Sequence, residues 1–361
     1  MPVSISGTNG VTFPDSSLQA AAASPYVLKN RIINGAMVID QRNAGASTTP
    51  TTDFTYTLDR WAARLTASSK YSVQQNAAAV TPPVGFSNYL GVTSLSAYSV
   101  GASDYFAIEQ AIEGFNAADL NFGTANAQTI TLSFWVRSSL TGTFGGNVRN
   151  NASDYNYPFS YTISSANTWE KKSVTITGAT AGTWLSTNYV GMRLAFILGA
   201  GSTYTGTVNV WNSGVIINPT GATSVVGTNG ATFYITGVQL EVGTSATPFE
   251  RRLYNHELAN CQRYFLRAGT SSLGRWFNSS QCTIPIIFPV EMRTTPSVSH
   301  LANYTVFEFG IADRTATGTS LNTDATYTTR GTFVNTSGST GATSGNLACP
   351  VQSNIGFSAE L

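Results

Sequence analysis

Nine consecutive residues, Thr129 to Arg137, alternate in character without a break. Ile130, Leu132, Phe134 and Val136 take one parity; Thr131, Ser133, Trp135 and Arg137 take the other. A helix would spread these apolar residues around its axis, whereas a strand places them on one face. Gly191–Leu198 repeats the pattern, with Met192, Leu194, Phe196 and Leu198 opposite Arg193. So does Tyr105–Gly114, where Phe106, Ile108, Gln110 and Ile112 oppose Ala107, Glu109, Ala111 and Glu113. That last segment has a helix-compatible composition, but its strict alternation favours a strand. Further strands are expected near residues 34–40, 70–76, 158–164, 172–177 and 206–211. Turns such as Gly145-Gly146-Asn147 and Asn150-Asn151 separate them. Many short strands without regular intervening helices predict two antiparallel sheets packed face to face.

Between residues 231 and 242 the parity changes. Phe233 and Ile235 are in one phase, Val238, Leu240 and Val242 in the other, with Gly237 between them. A bulge at Gly237 would keep both groups on the core side. Beyond Pro248 charges concentrate, and Tyr254, Leu258, Cys261 and Phe265 recur at helical spacing. This predicts a short helix at 255–264, with Asn255 as N-cap, Glu257 in the first turn and Cys261 buried. Glu241, Glu250, Arg251, Arg252 and Arg263 read as junction residues, pairing across two domains or between subunits. A second β-rich block follows, with strands near 283–290, 304–308 and 355–361 and a polar stretch at 315–346, either an exposed hairpin region or a segment ordered against a partner. The expected class is all-β: a β-sandwich over 31–250, then one short connecting helix opening a β-rich domain over 251–361. Residues 1–30 read as an attachment or oligomerisation segment, with a short strand at Val11–Phe13 and one or two helical turns around Ala20–Ala23.

Only 10% of the 361 residues are charged and the net charge is +1, so no basic stripe exists to hold nucleic acid. With 42% hydrophobic and 11% aromatic residues, disorder is excluded. No apolar run is long enough to insert in a membrane. The first residues show no export signal, which predicts synthesis in a cytoplasm. Cys261, Cys282 and Cys349 form no motif; they read as reduced or buried thiols, with one disulfide plus a free thiol left open.

Three blocks of sequence carry a family resemblance. Asn30-Arg31-Ile32-Ile33-Asn34-Gly35-Ala36-Met37, then Asp40-Gln41-Arg42 and Tyr56-Thr57-Leu58-Asp59-Arg60-Trp61, resembles the start of the adhesive part of tailed-bacteriophage tail-fibre (receptor-binding) proteins. Gly237–Gly243 and Thr247–Arg252 are similar to the end of that module, and Glu257–Phe265 to the joint after it. The Gly7–Asp15 leader resembles segments that precede fibre domains. The resemblance implies a carbohydrate-binding-like jelly-roll β-sandwich, a β-rich C-terminal domain and a homotrimer on a virion. It also implies other virion proteins as partners of the N-terminal segment, and a host surface glycan or protein receptor.

Sugar recognition needs aromatic faces beside polar groups. Among the aromatics, Trp61 and mid-strand Trp135 read foremost as packing residues. Asp154, Tyr155 and Tyr157, in a polar loop-like stretch, and Trp184 and Tyr189, after turn signals, are the ligand-binding candidates. Catalysis on glycans would require two carboxylates about 5–9 Å apart. Glu109 and Glu113 would meet that only on a helix, and no hydrolase or phosphate-loop motif is present. The expectation is therefore a host-attachment protein without catalysis or cofactor; a structural Ca²⁺ held by backbone carbonyls and Asp stays open. The alternative is a structural component of the virion, such as a baseplate, head-fibre or decoration protein.

Overall fold

The computed structural model describes residues 29–268, 273–309, 311–321, 328–337, 341–342, 344–350 and 354–361, and the backbone of 4–6, 10–12 and 18–19. Two antiparallel sheets build the first layer pair. The five-stranded sheet runs Glu170–Ile176, Ile130–Ser138, Thr232–Val242, Leu90–Ser94, Tyr71–Gln75. Opposite it, a seven-stranded sheet runs Asn212–Ser213, Tyr155–Ile163, Gly142–Arg149, Val190–Ala200, Tyr105–Glu113, Ala62–Leu65, Thr55–Tyr56. The result is an all-β, jelly-roll-like sandwich, with one short α-helix among the described residues of the chain.

The alternating residues meet in one core. Ile130, Leu132, Phe134 and Val136 pack from one sheet against Phe106, Ile108, Met192, Leu194, Phe196 and Leu198 from the other, all fully buried. Phe134 meets Phe196 edge-on at 4.9 Å and Tyr161 at 5.0 Å, the favoured geometry for aromatic quadrupoles. Burying each such side chain contributes about 1.5–3 kcal/mol. Gln110, on the same parity as Ile108, is satisfied by the main chain: its Nε2 donates to Ile33 O (2.8 Å) and its Oε1 accepts from Ile33 N (2.9 Å). The Thr232–Val242 strand slips register between Thr236 and Gln239. Gly237 absorbs the slip at φ +61°, so Phe233, Ile235, Val238 and Leu240 all point into the core.

Several local expectations need correction. Residues 34–40 form turns rather than a strand. Buried Asn34 folds this segment on itself, accepting from Ile39 N and donating to Ile39 O and Asp59 O, while the Trp61 indole donates to Asn34 O. In 206–211 only Gly206 is in a strand, Thr205–Gly206. Tyr155, Asn156 and Tyr157 open a strand instead of lying in a loop. The helix spans Tyr254–Gln262, starting at Leu253 without a side-chain cap, so Asn255 lies inside it. Cys261 is buried as expected, but Tyr254 is 60% exposed. In the leader the strand is Gly10–Thr12, pairing with Ser4–Ser6 and Leu18–Gln19; Phe13 and Ala20–Ala23 lie outside the described residues.

A second core contains Trp276, Cys282, Ile284, Met292, Val306, Val334, Ile355 and Phe357. It lies against another seven-stranded sheet and the three-stranded set Phe265–Arg267, Ile355–Ser358, Ser297–His300. The outer face of the larger sheet carries apolar residues as well, beside Arg275 and Thr283. Leu273, Phe277, Ile287, Phe333 and Leu347 stand 43–83% exposed on its outer side, around a depression of about 450 Å³. The 315–346 stretch contributes Gly318–Leu321 and Gly331–Ser337 to this sheet, and parts of it fall outside the described residues.

Candidate functional site

The expected ligand residues fall in two places. Tyr155, Tyr157 and Trp184 converge with Phe122 and Trp211. Tyr155 stacks on Trp211 at 5.4 Å with the planes 4° apart, and Trp184 and Tyr157 meet the same indole edge-on. The indole N–H groups are satisfied by Thr177 O and Ala181 O, and Asp154 accepts from Asn150 Nδ2 at 2.6 Å. These rings pack on one another, Tyr155 on Trp211 face to face and the others edge to face. Tyr189 lies apart from them, exposed, immediately after Asn188, whose amide donates to Arg293 O.

The junction residues are tied mostly to the first sandwich. Glu241 accepts from Thr247 N, Thr247 Oγ1 and Gln239 Nε2. Glu250 accepts from Lys29 N and Asn30 N, and Arg252 binds Glu257, Glu250 and the carbonyls of Asn30 and Ile32. Arg263 reaches 150 residues back to Glu113 with two contacts, 2.5 and 2.9 Å, and Tyr264 Oη donates to the same carboxylate at 2.6 Å. Burial opposes ionisation of Glu113, but Arg263 and Tyr264 hold its pKa below the usual range. Nearby, Glu360 binds Arg42 and Arg60, whose guanidiniums lie 3.6 Å over the Phe265 and Tyr264 rings respectively.

Arg251 behaves differently. It turns away from this network to the outer face of the five-stranded sheet and lines a cleft of about 270 Å³ with Phe86, Ser133, Trp135, Lys171, Gly237, Pro248 and Phe249. Strand parity places Ser133 and Trp135 on that face, and antiparallel register sets Lys171 directly opposite Trp135. The bulge brings Gly237 under Phe86: a Cβ there would lie 2.6 Å from Phe86 Cζ and 3.2 Å from Trp135 Cδ1. Phe86 meets Phe249 edge-on at 5.1 Å, and the Arg251 guanidinium lies 4.8 Å over Phe86 and 5.8 Å over Phe249. Trp135 is half-buried. Its indole N–H, the Lys171 ammonium and the Arg251 guanidinium have no hydrogen-bond partner among the described residues. An aromatic floor with three free donors can hold a flat, hydroxyl-bearing ligand by ring contact and hydrogen bonds. A wider depression of about 520 Å³, lined by Ser139, Leu140, Thr141, Ala166, Thr223, Ser224, Gly227 and Thr228, has neither a ring nor a charge.

The cleft escapes sequence reading because its walls come from residues 86, 133–135, 171, 237 and 248–251. The one available signal was Trp135 on the polar parity of an otherwise clean strand.

Glu109 and Glu113 do not form a close carboxylate pair: they lie on one extended strand, about 14 Å apart at about 3.4 Å per residue. Both are occupied, Glu109 by Arg64, Arg149 and Arg193. Among the described residues no three His, Cys, Asp or Glu side chains converge, and no helix is long and apolar enough to cross a membrane. Cys261 and Cys282 are free and buried, and burial pushes the Cys282 thiol up to about 11.

No family model and no curated protein sequence matches the chain. Its structure is similar to a putative sugar binding protein from Bacteroides thetaiotaomicron, at 11% identity and a TM-score of 0.36 over 60% of this chain and 100% of that one. It is similar to a family 11 carbohydrate-binding module from Clostridium thermocellum, solved with a mixed-linked tetrasaccharide, at 10% identity and a TM-score of 0.29 over 56% of this chain and 98% of that one. It is also similar to the enzymatically active domain of tailspike protein 4 of bacteriophage CBA120, at 11% identity and a TM-score of 0.33 over 60% of this chain. The match spans 22% of that tailspike chain. At these identities and TM-scores the likenesses bear on neither ligand nor activity.

Proposed function

We propose that the chain is a non-catalytic adhesin of a virus particle, a tail-fibre or receptor-binding protein that attaches to a host-surface glycan through the Trp135 cleft. The observation that carries the reading is the cleft itself: Trp135, Phe86 and Phe249 held together on a solvent-facing sheet, with donors left unpaired among the described residues. Such an outward-facing group does nothing for the core, and its donors are already in place for a ligand. The sequence resemblance of residues 30–61 and 237–265 supplies the virion setting. In this proposal residues 1–30 attach to other virion proteins, 31–250 bind, and 251–361 assemble the homotrimer.

The test is adsorption. Purified protein is expected to bind susceptible cells and compete with infection, and Trp135→Ala to lose both while keeping its circular-dichroism spectrum and melting temperature. Saturating protein that neither binds nor competes would overturn the reading.

The exposed apolar face around Phe277, Ile287 and Phe333 favours a second reading, that of a structural component of the particle. Contiguous apolar surface of this kind marks contact sites between proteins. Labelling the protein on intact particles separates the readings: a tip position fits attachment, and burial among other subunits fits the structural role.

A further inference from the structure

The charges around the cleft are of one sign. Most arginines in this chain are ion-paired: Arg31 with Asp119, Arg42 and Arg60 with Glu360, Arg252 with Glu250 and Glu257, Arg263 with Glu113. Lys171 and Arg251 form no ion pair among the described residues. Arg137, two residues along the strand from Trp135 and on the same parity, is likewise without a carboxylate; it donates to Asn167 O and covers the Tyr234 ring at 5.3 Å. The acids nearest in sequence are occupied. Glu170 accepts from Ser164 N, Ser165 N and Lys172; Glu250 and Glu241 are taken up as described above. Among the described residues no carboxylate lines the cleft. In a chain with so few charges, two cations without an ion pair among the described residues, both lining one aromatic cleft, set a positive local field.

Arg251 is also ordered before any ligand arrives. Its guanidinium is stacked on Phe86 and presses on Gly85, where a Cβ would lie 2.8 Å from Nη2. A preordered, weakly hydrated planar cation with free N–H groups is suited to a carboxylate or phosphate. A neutral sugar would use the Trp135 floor and take only hydroxyl hydrogen bonds from both cations, without the charge attraction.

We infer that the ligand of this cleft is an anionic saccharide, carrying a carboxylate or a phosphate that reaches Lys171 and Arg251 while the sugar lies against Trp135. This rests on the glycan-binding reading and narrows it.

The experiment is an array of acidic polysaccharides — polygalacturonate, alginate, hyaluronate and phosphomannan — each beside its neutral derivative, methyl-esterified or dephosphorylated. It is probed with the wild-type chain, Trp135→Ala and the double variant Lys171→Gln/Arg251→Gln. Wild type is expected to hold at least one acidic member about tenfold or more tighter than its neutral partner, since hydrogen bonds to charged groups are the stronger kind. The double variant is expected to erase that preference, bringing acidic binding down to the level of the neutral partner, and added salt to weaken the acidic member more than the neutral one. The carboxylate and phosphate members separate the two anion sources. Equal binding of acidic and neutral partners, both lost in Trp135→Ala, would overturn the anionic inference and leave the glycan cleft standing. Binding to no member, or binding untouched by Trp135→Ala, would overturn both.

Discussion

Glu109 offers the sharpest test of how this fold handles charge. It is 1% exposed on the outer side of the first seven-stranded sheet, and three guanidiniums converge on it. Arg64 and Arg193 each donate to Oε1 at 2.9 Å, and Arg149 donates to Oε2. Burial alone would raise the Glu109 pKa, but the charges of Arg149, Arg64 and Arg193 outweigh it and hold the carboxyl below its usual range. Glu109→Gln keeps the shape and removes the charge, leaving the three arginines with Asp53 as their remaining partner, through Arg64. Breaking a buried ion pair from one side costs about 3–5 kcal/mol. For a sandwich of this size that lowers the melting temperature by about 6–20 °C. The assay is thermal and urea unfolding of wild type, Glu109→Gln, Arg149→Met and the double variant. Arg149 is the useful partner because Glu109 is its ion pair, and because burial and the neighbouring Arg64 and Arg193 charges push its own pKa down. Arg149→Met should therefore destabilise wild type but partly rescue Glu109→Gln, a coupling of opposite signs that independent sites do not show. A loss below about 1 kcal/mol for Glu109→Gln, or additive effects in the cycle, would refute the argument, because measured surface pairs have that size.

Gly237→Ala should cost about 1–3 kcal/mol, since φ +61° disfavours an L side chain and its Cβ would meet Phe86 at 2.6 Å; because Phe86 must move, glycan retention in affinity electrophoresis should fall further than stability does. Asp59, fully buried, has its pKa raised from 3.8 to about 6, chiefly by burial, against the opposing charge of Arg42 and the Gln41 hydrogen bonds. The native state therefore binds the extra proton between about pH 6 and pH 4, so this group adds stability as pH falls through that window. The gain is roughly 3 kcal/mol at most, at about 1.4 kcal/mol per unit. Unfolding curves from pH 7.5 to 4 should show the gain in wild type relative to Asp59→Asn; parallel pH profiles for the two would contradict it.

How far the fold was legible follows from where each element gets its stability. Ile130–Ser138 and Val190–Ala200 were legible because a strand buried on one face writes its own period into the sequence. The bulge was legible for the same reason: only an extra residue at Gly237 reconciles the two phases. Residues 34–40 misled because Ile32, Met37 and Ile39 are buried while side chains, those of Asn34, Gln75 and Glu257, supply hydrogen bonds that a neighbouring strand would otherwise provide. Tyr155 and Tyr157 misled in the opposite sense. Polar neighbours made the segment look like a loop, whereas Asn156 pairs with Asn212 at the sheet edge and the tyrosines face inward onto Trp211.

The cleft shows the remaining limit in physical terms. Burial acts on every residue of a strand and leaves a periodic trace, but a binding face depends on what the protein leaves unpaired, which is defined only after all pairing is known. Arg251 and Arg252 are adjacent and identical in sequence. Arg252 enters the buried network of Glu250, Glu257 and the 30–32 carbonyls, and in doing so occupies the nearby acids. Arg251, one residue earlier in an extended segment, projects to the other side, over the rings of Phe86 and Phe249 and beside Gly85. Its role as a free cation beside Trp135 is set by the saturation of its neighbours. The same low charge content that makes this chain look inert to electrostatic reading gives its few unneutralised charges their weight, because almost nothing nearby remains to screen them except solvent and ligand.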